Sequence, residues 1–305
     1  MHKDGGIAEL AAGGDADAQF ELGEMYMLGK DVQKNNKKAL EWLRLAAAQD
    51  HPRAQYALGF MYLDGKGVPS DHKEAVKWFR LSAEQGYVNA QFQMGIMCFN
   101  GRGSPVNFAE ALKWFRLAAE QGHAVAQCNV GFTYFEGNGV PQDFEEALKW
   151  FKISAEQGFH SAQCNIGVIY QNGLGVPEDH EEAVRWFKLS AEQGNMFALH
   201  NLGNMYKIGA GIEKNTSEAL RYMRLSAGAG YGPAKRALGE MFVSGYGDLM
   251  DAAIAADYLR RSKDPLDQMI LLILETSVRM KMPIPPKSKG KSTAKRRSPA
   301  SRGKK

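Results

Sequence analysis

The chain has 305 residues, 44% hydrophobic and 24% charged, with a formal net charge of +4. No stretch approaches the roughly 18 consecutive apolar residues that a membrane-crossing helix needs, and three cysteines are too few and odd in number for a disulfide framework. The small net charge hides a division: ten of the 38 basic residues and no acidic ones lie in 281–305, leaving 28 basic against 34 acidic elsewhere, so the tail is at +10 and the rest at −6.

The N-terminus, MHKDGGIAELAAGGDAD, has no apolar run long enough for a secretory signal. Its Leu10-Ala11-Ala12-Gly13 matches the tail of a helix from a preceding unit, so residues 1–17 read as a partial repeat or cap. A 36-residue pattern then begins at Ala18 and again at Ala54, Ala90, Ala126, Ala162, Ala198 and Ala234, giving seven units over 18–269 without insertion or deletion. Periodicity of this kind predicts a solenoid. The clearest copy, AQYALGFMYLDGKGVPSDHKEAVKWFRLSAEQGYVN, predicts two helices. In the first, Ala54, Leu58, Met61 and Tyr62 share one face. Gly59 sits inside that helix in every copy at a cost of roughly 1 kcal/mol against alanine, which predicts close approach of a neighbouring helix backbone. Gly65-Lys66-Gly67 and Pro69 end the helix. The second helix opens on Asp71 with Glu74, read as a capping box that recurs at Asn107/Glu110, Asp143/Glu146, Asp179/Glu182 and Asn215/Glu218. Ala75, Trp78, Phe79 and Ser82 form its apolar stripe, and Gly86 stops it. Each helix is about 12 residues, too short to persist alone in water, so stacking must supply the stability.

The recurring A-x-x-x-L-G-x-x-Y-x-x-G-x-G-V-x-x-D-x-x-x-A-x-x-W-F-x-x-S-A-x-Q-G resembles the Sel-1-like repeat, a relative of the tetratricopeptide repeat with a slightly longer loop. The resemblance implies an all-α, right-handed superhelical solenoid of about seven repeats, and a non-catalytic adaptor or scaffold that binds a protein partner. One secreted, cysteine-rich branch of that family staples each unit with a disulfide and is linked to β-lactam binding. This chain lacks the paired cysteines, so that activity does not carry over. Cys128 and Cys164 hold the same position in adjacent units, where stacked helices place equivalent atoms about 9–10 Å apart, beyond the roughly 7 Å limit for a bridge. The expectation is free thiols in a reducing, cytoplasmic compartment, or the nucleus in a eukaryotic cell.

In related tetratricopeptide folds the third, seventh and tenth residues of the first helix line the concave groove. Here that row is apolar in units two to four, with Tyr56, Phe60 and Leu63, then Phe92, Ile96 and Phe99, then Cys128, Phe132 and Phe135. It turns polar in unit six, with His200, Asn204 and Lys207. The row is a candidate groove for a partner segment; alternatively, tight curvature buries it against the next unit. Asn129 and Asn165, with Asn201, lie beside it, either to hold a partner's backbone or to bond neighbouring helices. The ladder of cations on the second helices, from Lys77/Arg80 to Arg221/Arg224, is matched by carboxylates such as Glu74 and Glu84, which predicts a solvated, neutralised face.

No histidine pair has metal-ligand spacing, and the G-x-G turns follow helices rather than strands, so neither metal, nucleotide cofactor nor catalysis is expected. Residues 266–282 form a strongly apolar segment, read as a C-terminal capping helix, with partner or self-association as the sharper reading. Residues 283–305 read as a disordered basic tail. Its Lys289, Lys291, Lys295, Arg296, Arg297, Arg302, Lys304 and Lys305 suit nonspecific nucleic acid, an anionic surface or an import signal, or simply keep the chain soluble.

Overall fold

In the computed structural model, residues 4–281 are described. The basic tail, the last residue of the expected capping helix and residues 1–3 lie outside them. Among the described residues there are sixteen helices and no strand, an all-α repeat fold. After α1 (Asp4–Ala12) the helices come in pairs: α2 (Ala16–Leu28) with α3 (Asn36–Ala47), α4 (Pro52–Asp64) with α5 (His72–Glu84), and α6 (Val88–Asn100) with α7 (Phe108–Glu120). They continue as α8 (Ala124–Glu136) with α9 (Phe144–Glu156), α10 (His160–Asn172) with α11 (His180–Glu192), and α12 (Met196–Ile208) with α13 (Thr216–Gly228). The final three are α14 (Gly232–Val243), α15 (Leu249–Arg261) and α16 (Pro265–Lys281). The chain divides into two compact units, residues 1–234 and 235–305.

In the first unit, four second helices (α5, α7, α9 and α11) each bury one aromatic ring completely, Phe79, Phe115, Phe151 and Phe187, 36 residues apart, while α3 and α13 carry Leu43 and Met223 at that position. Full burial of such a ring contributes roughly 2–3 kcal/mol. The in-helix glycine is explained by these rings. A Cβ at Gly131 would lie 2.7 Å from Phe151 Cδ1, and at Gly167 2.6 Å from Phe187 Cε1. The close approach expected of a neighbouring backbone is therefore made mainly by a side chain of the unit's own second helix. A second glycine does bring backbones together. Gly139, at φ +75°, is the loop residue whose Cβ would meet Phe108 and the Ala109 nitrogen, each at 2.8 Å, at the start of the preceding second helix.

Helix starts follow the sequence signals with one correction. Asp71 accepts from the backbone N–H of Lys73 and Glu74, and Asp143 and Asp179 cap their helices in the same way. The reciprocal half of the expected box is not made there. Glu110, Glu146 and Glu182 instead accept from the indole Nε1 of Trp114, Trp150 and Trp186, one turn on, at 3.4, 3.0 and 2.8 Å. In these three units the indole, a donor that seeks an acceptor when buried, takes the carboxylate in place of the cap nitrogen, whereas in the Asp71 unit Trp78 Nε1 has no partner and Glu74 pairs with Lys77. A reciprocal capping box occurs at α15, between Asp248 and Asp251.

A glutamine relay, buried at its middle residue, joins consecutive pairs. Gln121 at the end of α7 donates to Gln91 Oε1 in α6 at 2.7 Å, and Gln91 donates on to the Ala83 carbonyl of α5 at 3.3 Å. The same step occurs from Gln49 through Gln19, from Gln85 through Gln55 and from Gln157 through Gln127. Where Leu199 replaces the acceptor glutamine, Ala229 replaces its donor, so no buried amide is stranded.

In the second unit, Ile270 and Leu274 of α16 pack with Phe242, Ala255 and Leu259. Arg236 Nε lies 2.6 Å from Asp267 Oδ1, and Asp267 is almost fully buried; Arg236 also reaches Asp264 at 3.1 Å.

Candidate partner-binding site

The first helices place the row residues where the sequence spacing predicts, one set per pair. Most of the row is neither core nor free. Tyr56, Phe60, Leu63, Phe92, Ile96, Phe99 and Phe135 are half-buried, and Phe132 is 39% exposed. Their inner edges rest on the second helix. Phe60 meets Phe79 edge-on at 5.1 Å, Phe92 lies 6.0 Å from Phe115 and stacks on His123 at 4.6 Å, and Phe135 meets Phe144 at 5.3 Å. Such contacts fix the rings and leave one face of each to solvent.

Two cavities open along this row. One, of about 500 Å³, is lined by Asn129, Phe132, Asn165, Val168 and Asn201, with Phe197 and Tyr231 as its aromatic wall. Cys128, Cys164, Ser161 and Asn195 complete it. The other, of 290 Å³, gathers Phe20, Glu24, Met27, Arg53, Tyr56, Phe60 and Tyr87. The structure thus brings Asn129, Phe132 and Asn165 into one cavity and Tyr56 and Phe60 into another. Leu63, Phe92, Ile96, Phe99 and Phe135 line neither. Sequence reading missed Phe197 and Tyr231, because both fall outside the third, seventh and tenth positions. Tyr231 belongs to the turn before α14, and its ring meets Phe197 at 5.0 Å and His200 at 5.2 Å.

The asparagines are largely uncommitted. Asn165 Nδ2 approaches Cys128 Sγ at 3.9 Å, a weak contact. Among the described residues the side-chain amides of Asn129 and Asn201 make no hydrogen bond, although both line the cavity. Nearby titratable groups are held neutral by burial. The Cys128 and Cys164 thiols are pushed up to about 12 and Cys98 up to about 11, while His123 and His200 are pushed down. All three cysteines are free and buried.

The cation ladder is neutralised in part, with different partners from some of those expected. Lys77 pairs with Glu74 at 2.7 Å, Lys149 with Glu146 at 3.1 Å, and Arg185 with Glu182 at 2.9 Å. Arg80 turns to Glu110 of the next second helix at 2.8 Å rather than to Glu84, and Arg116 bonds the Tyr134 hydroxyl. Among the described residues no cluster of side chains suits a metal ion, and no helix is long and apolar enough to cross a membrane.

The Sel1 repeat family model matches residues 16–51, 52–87, 88–123, 124–159, 160–195 and 197–231. Each full match begins two residues before the start read from the sequence. Among solved structures, the chain is similar to c5321, a protective antigen of uropathogenic Escherichia coli strains displaying an SLR fold. The two are 34% identical with a TM-score of 0.79, over 88% of this chain and 58% of that one. The chain therefore spans little more than half the length of that protein. It is also similar to a Sel1 repeat protein from Oxalobacter formigenes, at 36% identity and a TM-score of 0.63, over 70% of this chain and 85% of the other. Yeast Tom70 shares the fold alone, at 13% identity and a TM-score of 0.50 over 91% of this chain and 60% of Tom70. No curated protein matches.

Proposed function

Because the chain belongs to the Sel1 repeat family, whose repeats match it from residue 16 to 231, we propose that it is a non-catalytic adaptor holding an extended protein segment along its first-helix row. Folds of this kind commonly mediate protein–protein interaction. The observation that carries the reading is the 500 Å³ cavity where Asn129, Asn165 and Asn201 stand beside Phe132, Phe197 and Tyr231. An asparagine amide offers a donor and an acceptor, the same pair a peptide unit presents. Helices stacked about 10 Å apart match three residues of extended chain at about 3.3 Å each, so successive asparagines meet every third peptide unit. The aromatic faces would take the intervening side chains. This shifts the weight of the site from units two to four towards units four to six. The half-buried Tyr56, Phe60, Leu63, Phe92, Ile96, Phe99 and Phe135 extend the same surface.

The charge division favours a second component. A +10 tail beside a −6 remainder would hold the complex on a polyanionic surface through Lys289, Lys291, Lys295, Arg296, Arg297, Arg302, Lys304 and Lys305. The alternative is a nucleic-acid-associated protein whose repeats serve only as structure.

Affinity purification with nuclease treatment separates the two. Full-length chain, residues 1–281 and the double variant Phe132→Ser/Asn201→Ala would be compared, with circular dichroism as the folding control. The adaptor reading expects one protein partner to survive nuclease and tail removal and to be lost with the double variant. If everything enriched disappears with nuclease or with the tail, the alternative holds.

A further inference from the structure

The helix α16 has two apolar faces, and its own unit covers one. Ile270 and Leu274 are buried against α15, at 9% and 0% exposure. Beside that stripe Leu266, Met269, Leu272, Ile273 and Met280 are 47, 53, 68, 43 and 76% exposed. Leu266, Met269, Ile273, Thr276 and Met280 follow one another at steps of three, four, three and four, the a/d spacing of a coiled-coil seam, with Leu272 at its flank.

We propose that α16 pairs with α16 of a second copy of this chain, antiparallel and centred on Ile273. Three observations select that occupant. The exposed side chains leave on the order of 500 Å² of apolar surface per copy, so pairing would bury on the order of 1,000 Å², the size at which a specific interface becomes stable. The chain's own tail cannot cover the seam, because residues 282–305 carry Met282 and Ile284 as their only large apolar side chains. A further second helix in register does not cover the seam either, because it would seat on the Glu275 side, about 160° round the helix from Ile273. In register, Glu275 takes the place of the in-helix glycine, and at Gly131 even a Cβ would stand 2.7 Å from the second-helix ring. Glu275 is instead turned to Arg260 at 2.9 Å, which closes that approach. Charge sets the direction. A parallel pair would start two +10 tails from adjacent ends, whereas an antiparallel pair separates them by the helix length.

Sedimentation velocity on the full chain from about 1 to 100 µM tests the pairing. The expected result is a species of twice 33.7 kDa, converted to monomer by Leu272→Glu/Ile273→Glu with unchanged far-UV circular dichroism. For direction, Leu266→Cys and Met280→Cys variants are mixed and oxidised. Antiparallel pairing expects a 266–280 disulfide between copies and little 266–266 product; the native thiols are buried and do not compete. A monomer throughout the range, a dimer indifferent to the two glutamates, or predominant 266–266 linkage overturns the proposal. So does a monomer whose double-glutamate variant merely loses a foreign protein, since the face would then belong to that protein.

Discussion

At Gly131 a missing methyl group decides how tightly two helices meet. The sequence made the recurrence of that glycine plain, and with it the need for close approach. It did not say what approaches, because a backbone and a ring edge leave the same signature in one chain. The contact being a ring leads to a contrast between copies. Gly131→Ala presses a Cβ onto the fully buried Phe151, and the expected loss is about 1–3 kcal/mol. At Gly203 the nearest atom is the flexible Met223 Cε at 3.1 Å, followed by the Ala219 carbonyl at 3.3 Å. There the gain in helix propensity, about 1 kcal/mol, offsets the crowding, and Gly203→Ala is expected to be nearly neutral. Urea denaturation of both variants reads the difference. The tryptophans teach a related lesson: Asp-x-x-Glu spells a capping box locally, but Trp150, one turn beyond, takes the Glu146 carboxylate first.

Adjacent second helices are linked by charge as well as by packing. The Arg80 guanidinium, bonded to Glu110 across α5 and α7, holds that carboxyl below the usual glutamate range. A depressed folded-state value means that the pair stabilises above the unfolded value of about 4.3 and ceases to do so as pH falls through the folded one. Both side chains are partly exposed, so its contribution is at most about 1 kcal/mol. Wild type is therefore expected to melt slightly above Arg80→Gln at pH 7, with the gap narrowing as pH falls below about 4.3; a gap that does not narrow in acid would contradict the assignment. Helix positions, caps and the apolar row were legible in the 36-residue period, because each depends on neighbours within one unit. The Arg80–Glu110 bridge and the Tyr231 wall were not, because each depends on how one unit is set against the next.

Over the first unit, contacts run between neighbours in the stack, so stability should be distributed along one dimension. Leu43→Ala and Phe151→Ala each remove a fully buried side chain, at an expected loss of about 2–5 kcal/mol. Hydrogen exchange should place their effects differently. Leu43→Ala is expected to lower protection in α2–α4 while α10–α13 keep theirs, and Phe151→Ala to lower it on both sides of α9; a uniform drop from either would show a single cooperative block instead. The glutamine relay adds a consequence for how such a chain can change length. Each hand-over runs from a unit's last turn, through its own first helix, to the carbonyl just before it. The three parts span 39 residues, but each recurs at a spacing of 36, so among the units that carry the relay, copying or excising a whole 36-residue block re-forms the bonds at the new junction. A cut of any other length strands an amide in the interior. The protein's bonding pattern thus works as punctuation: it lets the array grow or shrink by whole words and rejects fragments.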